Sequence, residues 1–380
     1  MFGIIDGYLF RRVLSAFISV WILMFTIVVI IDVVNTGLPS LKGVGDVARF
    51  FVYYFMFFDK LIGMAIPGFL ALAALIALWV IDASHELIAL KTMGVSPARI
   101  AMSLFAGVVF ISLSINVIRE LVFPAQVAYM ALPRNDYIRH PKELEAQRVL
   151  DELGGFYFWG EKINLAEGRV SKPQIIPVGD SSFHENKITA NSAEYLKSDG
   201  NHPDGWLLDG VSVSESFLVD YSQTVSEGEK SVVQPLFDEN GGFKNQIFVS
   251  THIKPVHLAA GDNWFSYGKI TELYKASSDP TFDKKTTGLI ISVHTRVMRV
   301  LTDLIPFFLG IPVYLNRGMG VKCFLKWSCS IVWPALFVGG QFVFWGMGSS
   351  LKIPDLAVCG PLLFVPVATV LYCSLLRKEI

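Results

Sequence analysis

The stretch VLSAFISVWILMFTIVVIIDVV, residues 13–34, decides the class of fold. Its 22 residues carry one charge, Asp32, close to the end. At 1.5 Å per residue such a helix is about 33 Å long, enough to cross a hydrocarbon core of about 30 Å. Two further runs follow, at 61–81 and 100–118, with 21 and 19 uncharged residues. After a long polar middle come 327–351 and 356–376, with 25 and 21. A sixth crossing has a weaker signal, because 304–315 gives only 12 uncharged residues. The turns from Ser292 must join it, so that both flanks of the middle obey one charge rule. The expected fold is a multi-pass α-helical membrane protein of six transmembrane helices, 3+3, at 13–34, 61–81, 100–118, 292–315, 327–351 and 356–376.

Composition agrees with this reading. The chain is 52% hydrophobic and 17% charged, too apolar for a soluble protein of 380 residues or for a disordered one. Charge separates along the chain. Residues 119–285 hold 17 Lys and Arg against 24 Asp and Glu, and the remainder holds 15 against 9. The overall charge of −1 therefore hides a basic membrane part and an acidic soluble part, and no nucleic-acid partner is expected.

With six spans and the N-terminus inside, Arg11, Arg12, Lys91, Arg99, Arg317, Lys322, Lys326, Arg377 and Lys378 fall on the cytoplasmic side. Lys42, Arg49, Lys60, Arg119 and Lys352 fall outside. The bias predicts cytoplasmic termini and an external middle domain. The first run is too long for a cleavable leader and reads as a signal anchor. The expected parts are residues 1–118, a domain at 119–290, and residues 291–380.

The middle domain reads as β. Short runs with partial alternation stand at 156–165, 187–196, 206–214, 231–237 and 246–253, separated by turns rich in Gly, Asn, Asp and Pro. An antiparallel β-sandwich or jelly-roll-like sheet is expected, with one short helix over 143–153. The four cysteines, Cys323, Cys329, Cys359 and Cys373, lie in or beside the last two spans. The domain must hold together by an apolar core.

The single Gly-Lys pair, Gly268-Lys269, lacks the upstream glycine of a nucleotide-binding loop. His85-Glu86 does not open a zinc-binding H-E-x-x-H, since Ala89 stands where the second histidine belongs. His252 and His257 read as solvent-facing polar positions at a strand and its exit. There is no G-x-S-x-G elbow. No catalytic site, metal or cofactor is expected.

The loop between spans two and three carries more information. Asp82 or Ser84 begins a short helix that Gly94 ends, within residues 82–97. Leu87, Leu90 and Met93 share a face at i, i+3, i+6, with Glu86 and Lys91 elsewhere. Two readings stay open from the residues: an interfacial tie between spans, and a docking element that passes a push to both.

The run Ser84-His85-Glu86-Leu87-Ile88-Ala89-Leu90-Lys91-Thr92-Met93-Gly94-Val95-Ser96 resembles the S-x-E-L-x-A-x-x-x-x-G-x-S element of the paired F and G permeases of the bacterial lipopolysaccharide-export ABC transporter, with one extra residue between Ser and Glu. Other pieces agree in order. Ile5 to Arg12 is similar to the family's opening before span one, and Ala65-Ile66-Pro67 to its proline early in span two. Ala190-Asn191-Ser192-Ala193 with Gly205-Trp206-Leu207-Leu208-Asp209 resembles paired strands of its periplasmic domain, and Thr271-Glu272-Leu273 the exit. His294-Thr295-Arg296 and Leu309-Gly310-Ile311-Pro312-Val313 resemble the two ends of its fourth span.

The resemblance implies a permease subunit that pairs with a second permease of the same family around a cavity opening sideways to the outer leaflet. A dimeric cytosolic ABC ATPase would grip the coupling helix through Glu86, Leu87, Leu90, Met93 and Gly94. The β domain would pass lipopolysaccharide, or a similar glycolipid, to periplasmic β-jelly-roll bridge proteins. The implied location is the bacterial inner membrane. Family members often carry basic residues at the outer end of span one, where this chain has Asp32, which reads as one half of an outer salt bridge.

In span four Ser292, Thr295, Arg296, Arg299, Thr302 and Asp303 recur at three- and four-residue steps. Arg299 and Asp303 are spaced to pair. Two readings stay open: a helix whose first turns lie outside the bilayer, and charges set in the outer leaflet, where they normally face a cavity or a partner and where a guanidinium fork suits phosphate. On the second reading Arg296 and Arg299, with Lys42 and Arg49 on the neighbouring outer loop, are the candidate lipid headgroup-binding residues. The aromatic run at 50–58 and the phenylalanines of span five would supply apolar wall. The alternative is a membrane-anchored envelope-assembly scaffold with no transport of its own.

Overall fold

In the computed structural model of the chain the described residues are 3–37, 41, 43–129, 132, 134–139, 141–178, 187–198, 203–212, 233–237, 243–261, 263–279, 282, 286–316, 323–350 and 358–376. The chain forms two compact units. One comprises residues 1–121 and 290–380, the other residues 122–289.

The first unit is helical. α1 (Ile4–Thr36) opens with the Gly3 amide donating to Asp6 Oδ2 at 2.8 Å and closes at Gly37, and an acid in the first turn suits the positive end of a helix. α2 (Val44–Ile62) follows. After a single 3-10 turn, α3 (Ile66–Ala83) begins with Pro67 in its first turn, where the missing amide costs nothing. α4 (Glu86–Thr92) is bracketed by two residues at positive φ, His85 and Gly94. α5 (Pro97–Gln126) completes the N-terminal half. The C-terminal half holds α10 (Thr286–Asn316), α11 (Cys323–Ser350), a 3-10 turn at Gly360–Phe364 and α12 (Val365–Leu376).

Among the described residues five helical segments are long and apolar enough to cross a membrane: Ile4–Thr36, Gly63–Ala83, Pro97–Tyr129, Gly288–Asn316 and Phe324–Gly348. The protein is a multi-pass helical membrane protein with an inserted β domain. The fourth span, for which only 12 uncharged residues stood in a row, is a full helix. The sixth expected span is shorter among the described residues, at Gly360–Ser374, and the start of the 356–376 run lies outside them. A further difference is α2, expected as an outer loop. Its charges Asp46, Arg49, Asp59 and Lys60 break the apolar run, but they leave Tyr54, Met56 and Phe58 buried.

α3 is the hub. Its alanines 71, 73, 74 and 77 are buried, and it packs on α1, α4 and α11. Small side chains let helix backbones approach closely, which favours association where lipid supplies no hydrophobic drive. Leu70, Leu75, Leu78 and Ile81 join Leu9, Leu104, Phe307, Ile311 and Tyr314 in one apolar cluster.

The second unit is an antiparallel sandwich. β1 (Glu143–Glu145), β2 (Val149–Asp151), β3 (Phe156–Trp159), β4 (Lys162–Asn164), β5 (Arg169–Ser171), β6 (Gln174–Pro177), β7 (Ile188–Thr189), β8 (Ser192–Leu196), β9 (Gly205–Asp209), β10 (Val233–Phe237) and β11 (Phe243–Ser250) form two sheets. Their orders are β1-β4-β5-β8-β9-β11-β10 and β2-β3-β6-β7. The run 156–165, expected as one strand, divides between the sheets at Gly160, where a Cβ would lie 2.2 Å from Val170 Cγ1. Likewise 187–196 divides into β7 and β8. The helix expected over 143–153 is instead β1 and β2, which bury Leu144 and Val149 by alternation. Between the sheets Phe158 stacks on fully buried Trp206 with centroids 5.2 Å apart, and Trp206 Nε1 donates to Ile253 O at 2.7 Å. Short helices complete the unit: α6 (Arg134–Arg139), α7 (Pro255–Ala260), α8 (Asn263–Tyr267) and α9 (Ile270–Ala276).

Candidate functional site

Two polar clusters lie in the helical unit, at opposite ends of the same helices. The first surrounds α4. Leu87 and Leu90 are 2% and 8% exposed and belong to the central apolar cluster, while Met93 is 67% exposed. The expected apolar docking face therefore divides: two leucines fasten α4 to its own bundle, and Met93 faces outward. The cause is helical geometry, since Met93 follows the last helical residue, Thr92, and the chain turns away at Gly94, φ +81°. Glu86 is also engaged within the chain. Tyr8 Oη donates to Glu86 Oε2 at 2.5 Å, Arg12 Nε donates to Tyr8 Oη at 2.8 Å, and Arg12 Nη2 stands 3.9 Å from Glu86 Oε1. Glu86 and Arg12 keep about two-fifths of their side-chain surface exposed, so the pair remains open to a ligand.

The same end holds two more carboxylates. Asp6 accepts from Ser103 Oγ at 2.6 Å and lies 3.5 Å from Arg99 Nη2, joining α1 to α5. Asp82, in the last turn of α3, accepts from Lys326 Nζ and Tyr314 Oη, each at 3.0 Å.

The second cluster sits where α2 meets α3. Arg119 of α5 donates through Nε to Asp59 Oδ1 at 2.6 Å and pairs with the same oxygen through Nη2. Arg299 of α10 donates to the Gly63 carbonyl at 2.7 Å. A Cβ on Gly63 would lie 3.2 Å from Arg299 and 3.3 Å from Arg119; glycine admits both guanidiniums to one spot. Arg296 Nη1 stands 3.5 Å from Glu120 Oε2. Arg299 and Asp303 form no ion pair; Asp303 instead accepts from Ser112 at 2.7 Å and Asn116 at 3.4 Å. Arg119 Nη1 is buried and lacks a hydrogen-bond partner among the described residues.

Of the four expected headgroup residues, Arg296 and Arg299 come together here. Arg49 does not. It is in α2 rather than a loop, 3.6 Å from Asp46, and its ten-residue separation from Asp59 is about 15 Å along the helix. Lys42 lies outside the described residues. Arg119, Asp59 and Gly63 were missed as site residues; the only signal was a charge at the end of an apolar run. Asp32 accepts a hydrogen bond from Tyr54 Oη at 2.6 Å.

Beside the cluster is a cavity of about 270 Å³ among α1, α2, α3 and α5, whose wall includes Trp21, Phe55, Phe58, Ile66 and Phe110, with Asp59 on its edge. Phe337 of α11, expected to line apolar wall, is fully buried against Phe364.

Among its described residues the sandwich offers no comparable site. Among the described residues no group of three His, Cys, Asp or Glu is placed to hold a metal. His252 contacts Asp279 through Nδ1 at 2.6 Å and is exposed. His257, expected at the surface, is buried against Trp264 and Phe282. Burial, with Lys254 adding to it, pushes its pKa down to about 3, which keeps the ring neutral. Burial raises the Asp151 carboxyl above its ordinary range, partly opposed by a hydrogen bond from Thr251.

Spanning helices, a short helix between the second and third of them, and an inserted antiparallel sandwich define a polytopic membrane protein with a β domain set between two helical parts. No curated protein matches the chain in sequence. The family described as lipopolysaccharide export system permease LptF/LptG matches residues 7–374, and the chain belongs to that family.

Proposed function

We propose that this permease extracts lipopolysaccharide, or a related phosphorylated glycolipid, from the outer leaflet of the inner membrane and passes it to a periplasmic bridge of β domains. It pairs with a second permease of the family, and a dimeric cytosolic ABC ATPase docks on α4 through Glu86 and Met93. The termini are cytoplasmic and the sandwich periplasmic. One observation carries the substrate reading: the three guanidiniums of Arg119, Arg296 and Arg299 gather beside an apolar cavity that Asp59, the partner of Arg119, borders. Cations at one end and apolar wall alongside suit a molecule that is phosphate at one end and acyl chain along the rest. The test is photocrosslinking to lipopolysaccharide in membranes from positions 296 and 119. Crosslinks at both are expected; none at either, with normal export by Arg296→Ala, would assign the cluster to packing and the headgroup to the partner permease.

A further inference from the structure

Asp82, Tyr314 and Lys326 come from three helices, α3, α10 and α11, and meet at one carboxylate oxygen. Lys326 Nζ and Tyr314 Oη each stand 3.0 Å from Asp82 Oδ2, and the Asp82 and Lys326 side chains are each 7% exposed. The ammonium also lies 6.0 Å from the centroid of the Tyr314 ring. Apolar residues of similar volume often hold helices together as well as a buried ion pair does. What a lysine, a carboxylate and a phenol add is one preferred arrangement, which resists sliding.

Their place gives that rigidity a use. Asp82 precedes Glu86 by four residues, across the turn at Ser84 and His85, and Leu87 and Leu90 share an apolar cluster with Tyr314 and Leu315. α4 packs on α3, and α3 is joined to the end of α10 by the shared apolar cluster and, one turn from α4, by the triad. α10 continues as one helix from Tyr314 back to Arg299 and Arg296, about 22 Å from Tyr314 to Arg299 at 1.5 Å per residue.

We infer that Asp82, Tyr314 and Lys326 are positioning residues that lock α10 and α11 to the coupling helix, so that displacement of α4 is conveyed along α10 to the arginine cluster. The inference rests on the reading of α4 as the ATPase dock. Its test uses the whole transporter in proteoliposomes, reading permease amount, ATPase retention, ATP hydrolysis and lipopolysaccharide released per ATP. The variants are Tyr314→Phe and the double Asp82→Asn/Lys326→Met, which removes both charges together and so leaves neither buried alone. Both are expected to accumulate normally, keep the ATPase and hydrolyse ATP, while release per ATP falls about five- to a hundredfold in the double variant. A double variant with normal release per ATP overturns the triad's role and leaves the dock intact. Failure of a crosslinker at Met93 to reach the ATPase in the unmodified transporter refutes the dock, and the triad's role falls with it.

Discussion

Arg296 and Arg299 stand one turn apart on α10 yet answer to different demands. Arg299 is tied to the buried Gly63 carbonyl, whereas Arg296 stands 3.5 Å from Glu120, a carboxylate whose side chain keeps about two-fifths of its surface exposed. Arg296→Ala is therefore expected to accumulate normally and to bind lipopolysaccharide about ten- to a hundredfold more weakly, the loss of one charge-assisted bond of about 1.5–3 kcal/mol. Arg299→Ala should lower the amount of folded protein as well; equal abundance of the two variants on a membrane immunoblot would contradict this division. In the sandwich His257 carries a different prediction. Its folded pKa of about 3 lies below the ordinary value near 6.5. The stabilisation from a neutral ring is thus complete above pH 6.5 and lost as pH falls toward 3. Between pH 7.5 and pH 5 the chain should lose about 2 kcal/mol more stability than His257→Phe, read from hydrogen exchange of the β9 and β11 amides. Asp151, shifted upward by burial, is common to both proteins and cancels in the difference. Parallel pH profiles would show that His257 titrates normally.

α4 illustrates what an element can disclose from its letters and what it cannot. Its existence and its end at Gly94 were legible because a glycine at positive φ and an apolar repeat at helical spacing are local signals. The division of its leucines from Met93 was not, since that depends on which helices surround it. It follows that Leu87→Asp and Leu90→Asp should deplete the protein from the membrane, as buried leucines contribute about 2–5 kcal/mol each. Met93→Asp should leave abundance unchanged and abolish ATPase co-purification; a co-purifying ATPase would place the dock elsewhere. Glu86→Lys should also lose the ATPase, and because Glu86 holds Tyr8, Arg12→Ala should show a milder form of the same defect. α2 escaped detection because four charges interrupt its hydropathy, although its buried positions 54, 56 and 58 show that tertiary packing overrides a broken apolar run. The three-residue strands β1, β2, β4 and β5 are too short for alternation to register. Of the candidate site, Arg296 and Arg299 were legible as charges on an apolar helix. Arg119 and Gly63 were not, because their meeting joins residues 56 apart in sequence.

At the scale of the molecule, the charge asymmetry between the parts predicts orientation. Ser198 follows β8 and is exposed, with its backbone amide donating to Asp204 Oδ1 at 2.7 Å. Ser198→Cys should therefore fold normally and react with an impermeant maleimide on intact spheroplasts; labelling only after lysis would reverse the orientation. The added thiol would be alone in its unit, because residues 122–289 contain no cysteine. The sandwich closes on Trp206, not on a covalent cross-link. Its maturation consequently needs no electron acceptor and no thiol oxidase, so the same chain attains the same fold in aerated and oxygen-starved cells, and in a reducing buffer at the bench.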